Sequence, residues 1–187
     1  VVNSTVSIDR RINTGSDVHL ILADGCHLTA SQGINVNAGQ SLTIYGQDGT
    51  NGVIGKLSAT GGHSYAGIGS GKGSDSGTIT INGGDVNATG GYCAAGIGGD
   101  GDWNSDSNNA GGNVGAITIN GGIVKAKGGY RGAGIGGGNM KPSSTVVITG
   151  GVITAIGSSS MGIGGGYTGG SGSFSTGENG KAVILAS

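Results

Sequence analysis

The run Ile117-Thr118-Ile119-Asn120-Gly121-Gly122-Ile123-Val124-Lys125-Ala126-Lys127 leads into Gly128-Gly129-Tyr130-Arg131-Gly132 and then Ala133-Gly134-Ile135-Gly136. Two short segments alternate apolar and polar residues, and each is closed by a double glycine. The alternation has period two, which puts successive side chains on opposite faces of a strand. A double glycine suits a turn that needs positive φ. The closing tetrapeptide returns as Ala66-Gly67-Ile68-Gly69, Ala95-Gly96-Ile97-Gly98 and Met161-Gly162-Ile163-Gly164, at steps of 29, 38 and 28 residues. A period of that size is the mark of a solenoid, in which each unit closes its core only by stacking on its neighbours.

Aligned on their double glycines, the units give three strands each. The first is Thr78–Asn82, Ala116–Asn120 and Thr145–Thr149; the second is Asp85–Thr89, Ile123–Lys127 and Val152–Ile156; the third is the tetrapeptide. Three strands joined by tight turns and repeated in register predict an all-β chain, a parallel β-helix whose like residues stack about 4.8 Å apart. β-Branched residues and frequent glycines disfavour helices. Val18–Leu22, Cys26–Ala30 and Ile34–Val36 read as an early coil, and Ala182–Leu185 as a last partial turn. The expectation is about five coils, or roughly 25 Å of stack, in one domain spanning 1–187. Residues 1–56 form the capping and early coils and 57–187 the regular repeats, with Val6-Ser7-Ile8 and Asp9-Arg10-Arg11 as a front cap.

Composition narrows the partners. Glycine supplies 47 of 187 residues and proline only one, Pro142, which excludes collagen. Nine Lys/Arg against ten Asp/Glu give a net charge of −1, so no basic footprint for nucleic acid is present. No apolar run approaches the roughly 20 residues of a bilayer-spanning helix, and no membrane insertion is expected. The chain starts at Val1 without a signal-peptide pattern and reads as a processed or excised part of a larger multidomain protein. Cys26 and Cys93 fall about two coils apart, too far to bridge, and read as unpaired small residues.

The blocks Leu20-Ile21-Leu22-Ala23-Asp24-Gly25-Cys26, Leu42-Thr43-Ile44-Tyr45-Gly46-Gln47 and the Ala-Gly-Ile-Gly-Gly and Ile-Thr-Ile-Asn-Gly-Gly repeats resemble a Gly-rich repeat module of large secreted or wall-attached bacterial proteins. The resemblance covers nearly the whole chain. It implies a right-handed β-helix like that of pectate-lyase-type proteins, an extracellular, secreted or cell-wall-attached setting, and a carbohydrate-binding or adhesin-like role. It brings no catalytic residues with it, and fold analogy alone shows no activity.

Four surface features carry chemistry. Asp100, Asp102, Asn104 and Asp106 place oxygen donors at alternate positions, the spacing with which one loop wraps calcium. Ser105 stands where an EF-hand loop would want glycine, and Gly111 where it would want glutamate. Trp103, the single tryptophan, sits among those polar donors, the usual equipment for stacking on a sugar. His63, Tyr92 and Tyr130 follow equivalent double glycines and should stack along one edge, either as an internal stabiliser or as a glycan platform extended by Tyr167 or Trp103. Lys125, Lys127 and Arg131 form a basic cluster that would favour polyanions such as uronic-acid polymers, or else guard a sheet face. Outward threonines at 78, 80, 118, 145 and 149 make a partial array, interrupted by Ala116 and Val147.

A lyase would need a strong base beside clustered carboxylates, and a glycosidase a carboxylate pair on one face. Neither is legible, His19, His27 and His63 lack metal-ligand spacing, and no nucleophile elbow is present. The expectation is a non-catalytic extracellular module that binds a polysaccharide or cell-surface glycan, with calcium at the 100–106 loop as its candidate cofactor. The alternatives are a ligand-free spacer and a polysaccharide lyase or glycosidase.

Overall fold

The structure is a computed structural model that describes residues 1–47, 52–101, 112–168, 174–176 and 181–186, the last two segments as backbone. The first coil comprises β1 (Thr5–Ile8), β2 (Ile12–Asn13) and β3 (Asp17–Leu22), and the second β4 (His27–Ala30), β5 (Ile34–Asn35) and β6 (Ser41–Gly46). The third has β7 (Lys56–Thr60), β8 (Ile68–Gly69) and β9 (Thr78–Ile81). The fourth has β10 (Asp85–Thr89), β11 (Ile97–Gly98) and β12 (Ile117–Ile119). The fifth is β13 (Ile123–Lys127), β14 (Ile135–Gly136) and β15 (Val146–Ile148), and the sixth β16 (Val152–Gly157), β17 (Ile163–Gly164) and β18 (Phe174–Thr176). β19 (Lys181–Ala186) opens a seventh.

Every third strand joins the same sheet. The first sheet runs β1-β4-β7-β10-β13-β16-β19, the second β2 to β17 and the third β3 to β18, with only parallel neighbours. The molecule is a right-handed parallel β-helix, as expected, and no helix occurs among the described residues. The described residues form six complete three-stranded coils rather than about five. The unanticipated strands at the front are β1 and β2: residues 5–13 lack both the double glycine and the Ala-Gly-Ile-Gly sequence and read as a cap ahead of the early coil at Val18–Leu22. Six coils correspond to roughly 30 Å of stack.

The core is a set of ladders running up the inside of the stack. Ile34, Ile68, Ile97, Ile135 and Ile163 line the second sheet in register, all at most 9 % exposed. The third sheet contributes Leu42-Ile79-Ile117-Val146 and Ile44-Ile81-Ile119-Ile148. The first pairs a bulky row, Leu28-Leu57-Val86-Val124-Ile153, with an all-alanine row from Ala30 to Ala155. Burying each large aliphatic side chain is worth about 1.5–3 kcal/mol.

Glycine is required at two recurrent places. The second glycine of the pair between the third and first sheets has positive φ, as in Gly122 at 90°. In the tetrapeptide, Gly98 combines φ of 129° with a neighbour so close that a Cβ would stand 2.2 Å from the Gly136 carbonyl oxygen. The short second-sheet strands therefore pack backbone on backbone. Cys26 and Cys93 are both buried and do not bridge each other.

The turns beside the second sheet also interlock between coils. The turn after each isoleucine folds back over the preceding coil's turn, so that Gly101, Asn139 and Tyr167 donate their amides to the carbonyls of Ser64, Cys93 and Arg131. These are equivalent residues in successive repeats. The interlock carries side chains from two coils onto one edge.

Candidate functional site

The aromatic row forms as its spacing predicts. Gly61-Gly62, Gly90-Gly91 and Gly128-Gly129 launch His63, Tyr92 and Tyr130 from equivalent turns, and the Tyr92 amide donates to the His63 carbonyl at 2.6 Å. His63 and Tyr92 stack with ring centroids 5.5 Å apart and planes 26° apart, and Tyr92 and Tyr130 stack at 5.6 Å and 20°. This is the offset-parallel geometry that aromatic quadrupoles prefer. Tyr92, the middle ring, thus gives both faces to its neighbours, and what it offers solvent is chiefly its rim.

Tyr167 enters this edge through Arg131. Its amide donates to the Arg131 carbonyl at 2.9 Å, which brings the sixth-coil turn against the fifth. The Arg131 guanidinium carbon lies 5.5 Å from the Tyr130 ring centre and 4.7 Å from that of Tyr167. Cation–π attraction to both rings restricts where this charge can sit. Tyr130 and Tyr167 remain well exposed.

The lysines stand on the same coil. Lys125 and Lys127 point outward from β13, alternating with the buried Val124 and Ala126. Lys125 is flanked in register by Asn87 and Thr154, and Lys127 by Thr89 and Ile156. Together these side chains line a shallow depression of about 220 Å³. Its lining contains no carboxylate, so nothing within it neutralises the two ammonium groups. Lys125, Lys127, Tyr130 and Arg131 follow one another along a single coil, and Tyr167 completes the strip from the next.

Asp100 has a different office. It is fully buried, and its carboxylate accepts hydrogen bonds from the Ser70 hydroxyl at 3.3 Å, the Gly112 amide at 2.5 Å and the Gly73 amide. Burial pushes its pKa upward, opposed by those donors. As arranged, Asp100 ties the start and end of the long fourth-coil connection to the third-coil turn. The other proposed calcium donors, Asp102, Asn104 and Asp106, and the aromatic Trp103 lie outside the described residues. Among the described residues, no three His, Cys, Asp or Glu side chains gather as metal ligands would.

Two features escaped the sequence reading. Arg11, taken as part of a polar front cap, reaches up the stack instead. Its guanidinium donates to the carbonyls of Gln32 and Ala66 at 2.9 and 3.0 Å, and of Gly69 and Ser70 at 3.0 and 2.9 Å, with Tyr65 beneath it at 4.8 Å. Burial lowers its pKa to about 10, against the opposing influence of Tyr65 and Asp100, and it stays charged at neutral pH. The available signal was its register: it precedes Ile12 where later coils have Gly33, Gly67, Gly96, Gly134 and Gly162 before their isoleucines. The second feature is a stack of His19 on Tyr45 at 5.8 Å, outside the third sheet. It is diagonal, because His19 pairs with Thr43 and Ile21 with Tyr45, so no single alignment column shows it.

Residues 79–102, 117–139 and 146–167 match a family model described as a beta helix repeat. The three matches begin at Ile79, Ile117 and Val146, which are stacked partners in the third sheet. The matched stretches are β-helix repeats, in keeping with the coils they build. No curated protein and no solved structure matches it.

Proposed function

We propose that this β-helix is a non-catalytic extracellular module, part of a larger surface protein, that holds a glycan against its fifth coil. The observation that carries the proposal is the strip itself. Lys125 and Lys127 border an acid-free depression, and Tyr130, Arg131 and Tyr167 continue it with a fixed guanidinium and exposed aromatic rims. Ammonium and guanidinium groups attract the carboxylates or sulfates of an acidic glycan, while Asn87, Thr89 and Thr154 offer hydrogen bonds to its hydroxyls. The stacked rings serve as a wall, since their faces are largely occupied by one another.

The test is binding of the chain to an array of neutral, uronate-bearing and sulfated glycans, repeated in calcium and in EDTA. Retention of acidic glycans that weakens on Lys125→Ala/Lys127→Ala and with added salt is the expected result. Loss in EDTA would assign a part to calcium and to the 100–106 segment. No binding of any glycan would leave the spacer reading, which the three unbroken ladders of parallel strands also support.

A further inference from the structure

The outer face of the third sheet is chemically unlike the strip. From β6 to β15, the twelve outward positions that alternate with its buried ladders carry no Asp, Glu, Lys, Arg or His. Only Ala116 and Val147 among them lack a hydrogen-bonding side chain. Thr43, Thr80 and Thr118 form one rank in register, and Tyr45, Asn82 and Asn120 follow two residues on in their coils. The ranks repeat about every 4.8 Å up the stack, and positions along a strand about every 6.6 Å.

This array is already ordered. The Asn120 amide donates to Asn82 Oδ1 at 2.8 Å, and the Thr149 hydroxyl donates to Asn120 Oδ1 at 2.7 Å. The central threonines are half-buried and β-branched, with few rotamers to lose. A partner meeting such a face forfeits little side-chain entropy.

The chemistry selects the partner. A protein interface wants an apolar or aromatic centre, and a polyanion wants cations; from β6 to β15 this face supplies neither at its centre, with Asp17 and the His19–Tyr45 stack at its β3 rim. A repeating, uncharged array of hydroxyls and amides is complementary to a repeating, uncharged array of hydroxyls. We infer that the outer face of the third sheet from β6 to β15 is a second binding face, which adheres to neutral polysaccharide in ordered, insoluble form. Each contact is weak, and repetition across four coils supplies the retention.

The experiment is depletion of the full 187-residue chain from solution by microcrystalline cellulose and by chitin. At least one polymer should deplete it, and roughly 0.5 M salt should leave that unchanged, because the contacts are uncharged. Thr80→Glu/Thr118→Glu should cut retention about tenfold, equivalent to a loss of about 1.4 kcal/mol. Asn120→Asp, which preserves side-chain shape, should weaken retention in the same direction if the double variant does not fold. Lys125→Ala/Lys127→Ala should retain polymer binding, which separates this face from the acidic-glycan strip. Absence of depletion by both polymers, or equal depletion of correctly folded variants, would overturn the inference. So would freezing-point hysteresis without polymer retention, which would make ordered water the partner.

Discussion

The second coil and the regular coils above it share most of one backbone ladder and differ at a single rung. In the regular coils, amides of one tetrapeptide loop reach carbonyls of the next: Gly67 to Ala95, Ser70 to Gly98, Gly96 to Ala133 and Gly99 to Gly136. That contact is backbone on backbone and admits no side chain at Gly98. In the second coil the turn is short, only Ser31-Gln32-Gly33 between β4 and β5, and the Gly33 amide bonds back to Ala30. The Ile34 and Val36 amides still reach the Gly67 and Gly69 carbonyls, and the Arg11 guanidinium supplies the donor to Ala66, with further bonds to Gly69 and Ser70. The rung at Ala66 thus needs a donor, and the cation stands in for the glycine amide that later coils supply.

The sharpest way to break this contrast is Gly98→Val. A valine needs space that the Gly136 carbonyl occupies and a φ it rarely adopts, so the loss should exceed about 4 kcal/mol. A urea midpoint within experimental error of wild type would show that the close packing is not required. Ile135→Ala removes a fully buried rung and should cost about 2–5 kcal/mol in the same measurement. Arg11→Met should cost about 2 kcal/mol, because it keeps the length but orphans carbonyls. Its signature is regional. Hydrogen exchange should quicken at the Ile34 and Val36 amides, bonded to Gly67 and Gly69, and remain slow at Ile97 and Ile135. Uniform acceleration would make Arg11 a global rather than a local support.

Smaller effects sharpen the picture of the exposed edge. Tyr130→Ala breaks the end of the aromatic row and should cost about 1 kcal/mol, read by thermal melting. Asp100 gives a pH signature. Its folded pKa is raised by burial, so the native state holds this proton more tightly than the unfolded chain. Stability from this group is therefore full below the unfolded value near 3.9 and declines as pH rises toward the raised one. The stability of wild type relative to Asp100→Asn should fall from pH 4 to pH 7; a rise would reverse the assigned shift.

What could be read from the sequence follows from how directly a residue type reports its backbone. Period-two isoleucines and positive-φ glycines do so, which is why the three sheets and their stacked ladders were legible from residue 18 onward. The His63-Tyr92-Tyr130 row was legible for the same reason: its members share one offset from a double glycine. Arg11 was not, because a long side chain acts several ångströms from its own position and across 55 residues or more of sequence to Ala66, Gly69 and Ser70. The structural role of Asp100 was hidden for a related cause. Alternating acidic residues look alike in sequence, whereas burial turns this one inward and gives its oxygens to protein donors. Nor does spacing reveal that stacked rings cover one another's faces.

The most direct test of the account is removal of one coil, residues 123–151. The cut joins Gly122 to Val152, which stands in register with Ile123, and Tyr167 can then donate to the Cys93 carbonyl that Asn139 otherwise takes. Acidic-glycan binding and cooperative melting would be measured on the same preparation. The shortened protein should melt cooperatively and bind no acidic glycan, because Lys125, Lys127, Tyr130 and Arg131 leave with the coil. A folded protein that still binds as wild type would place the glycan elsewhere and contradict the assignment of the strip.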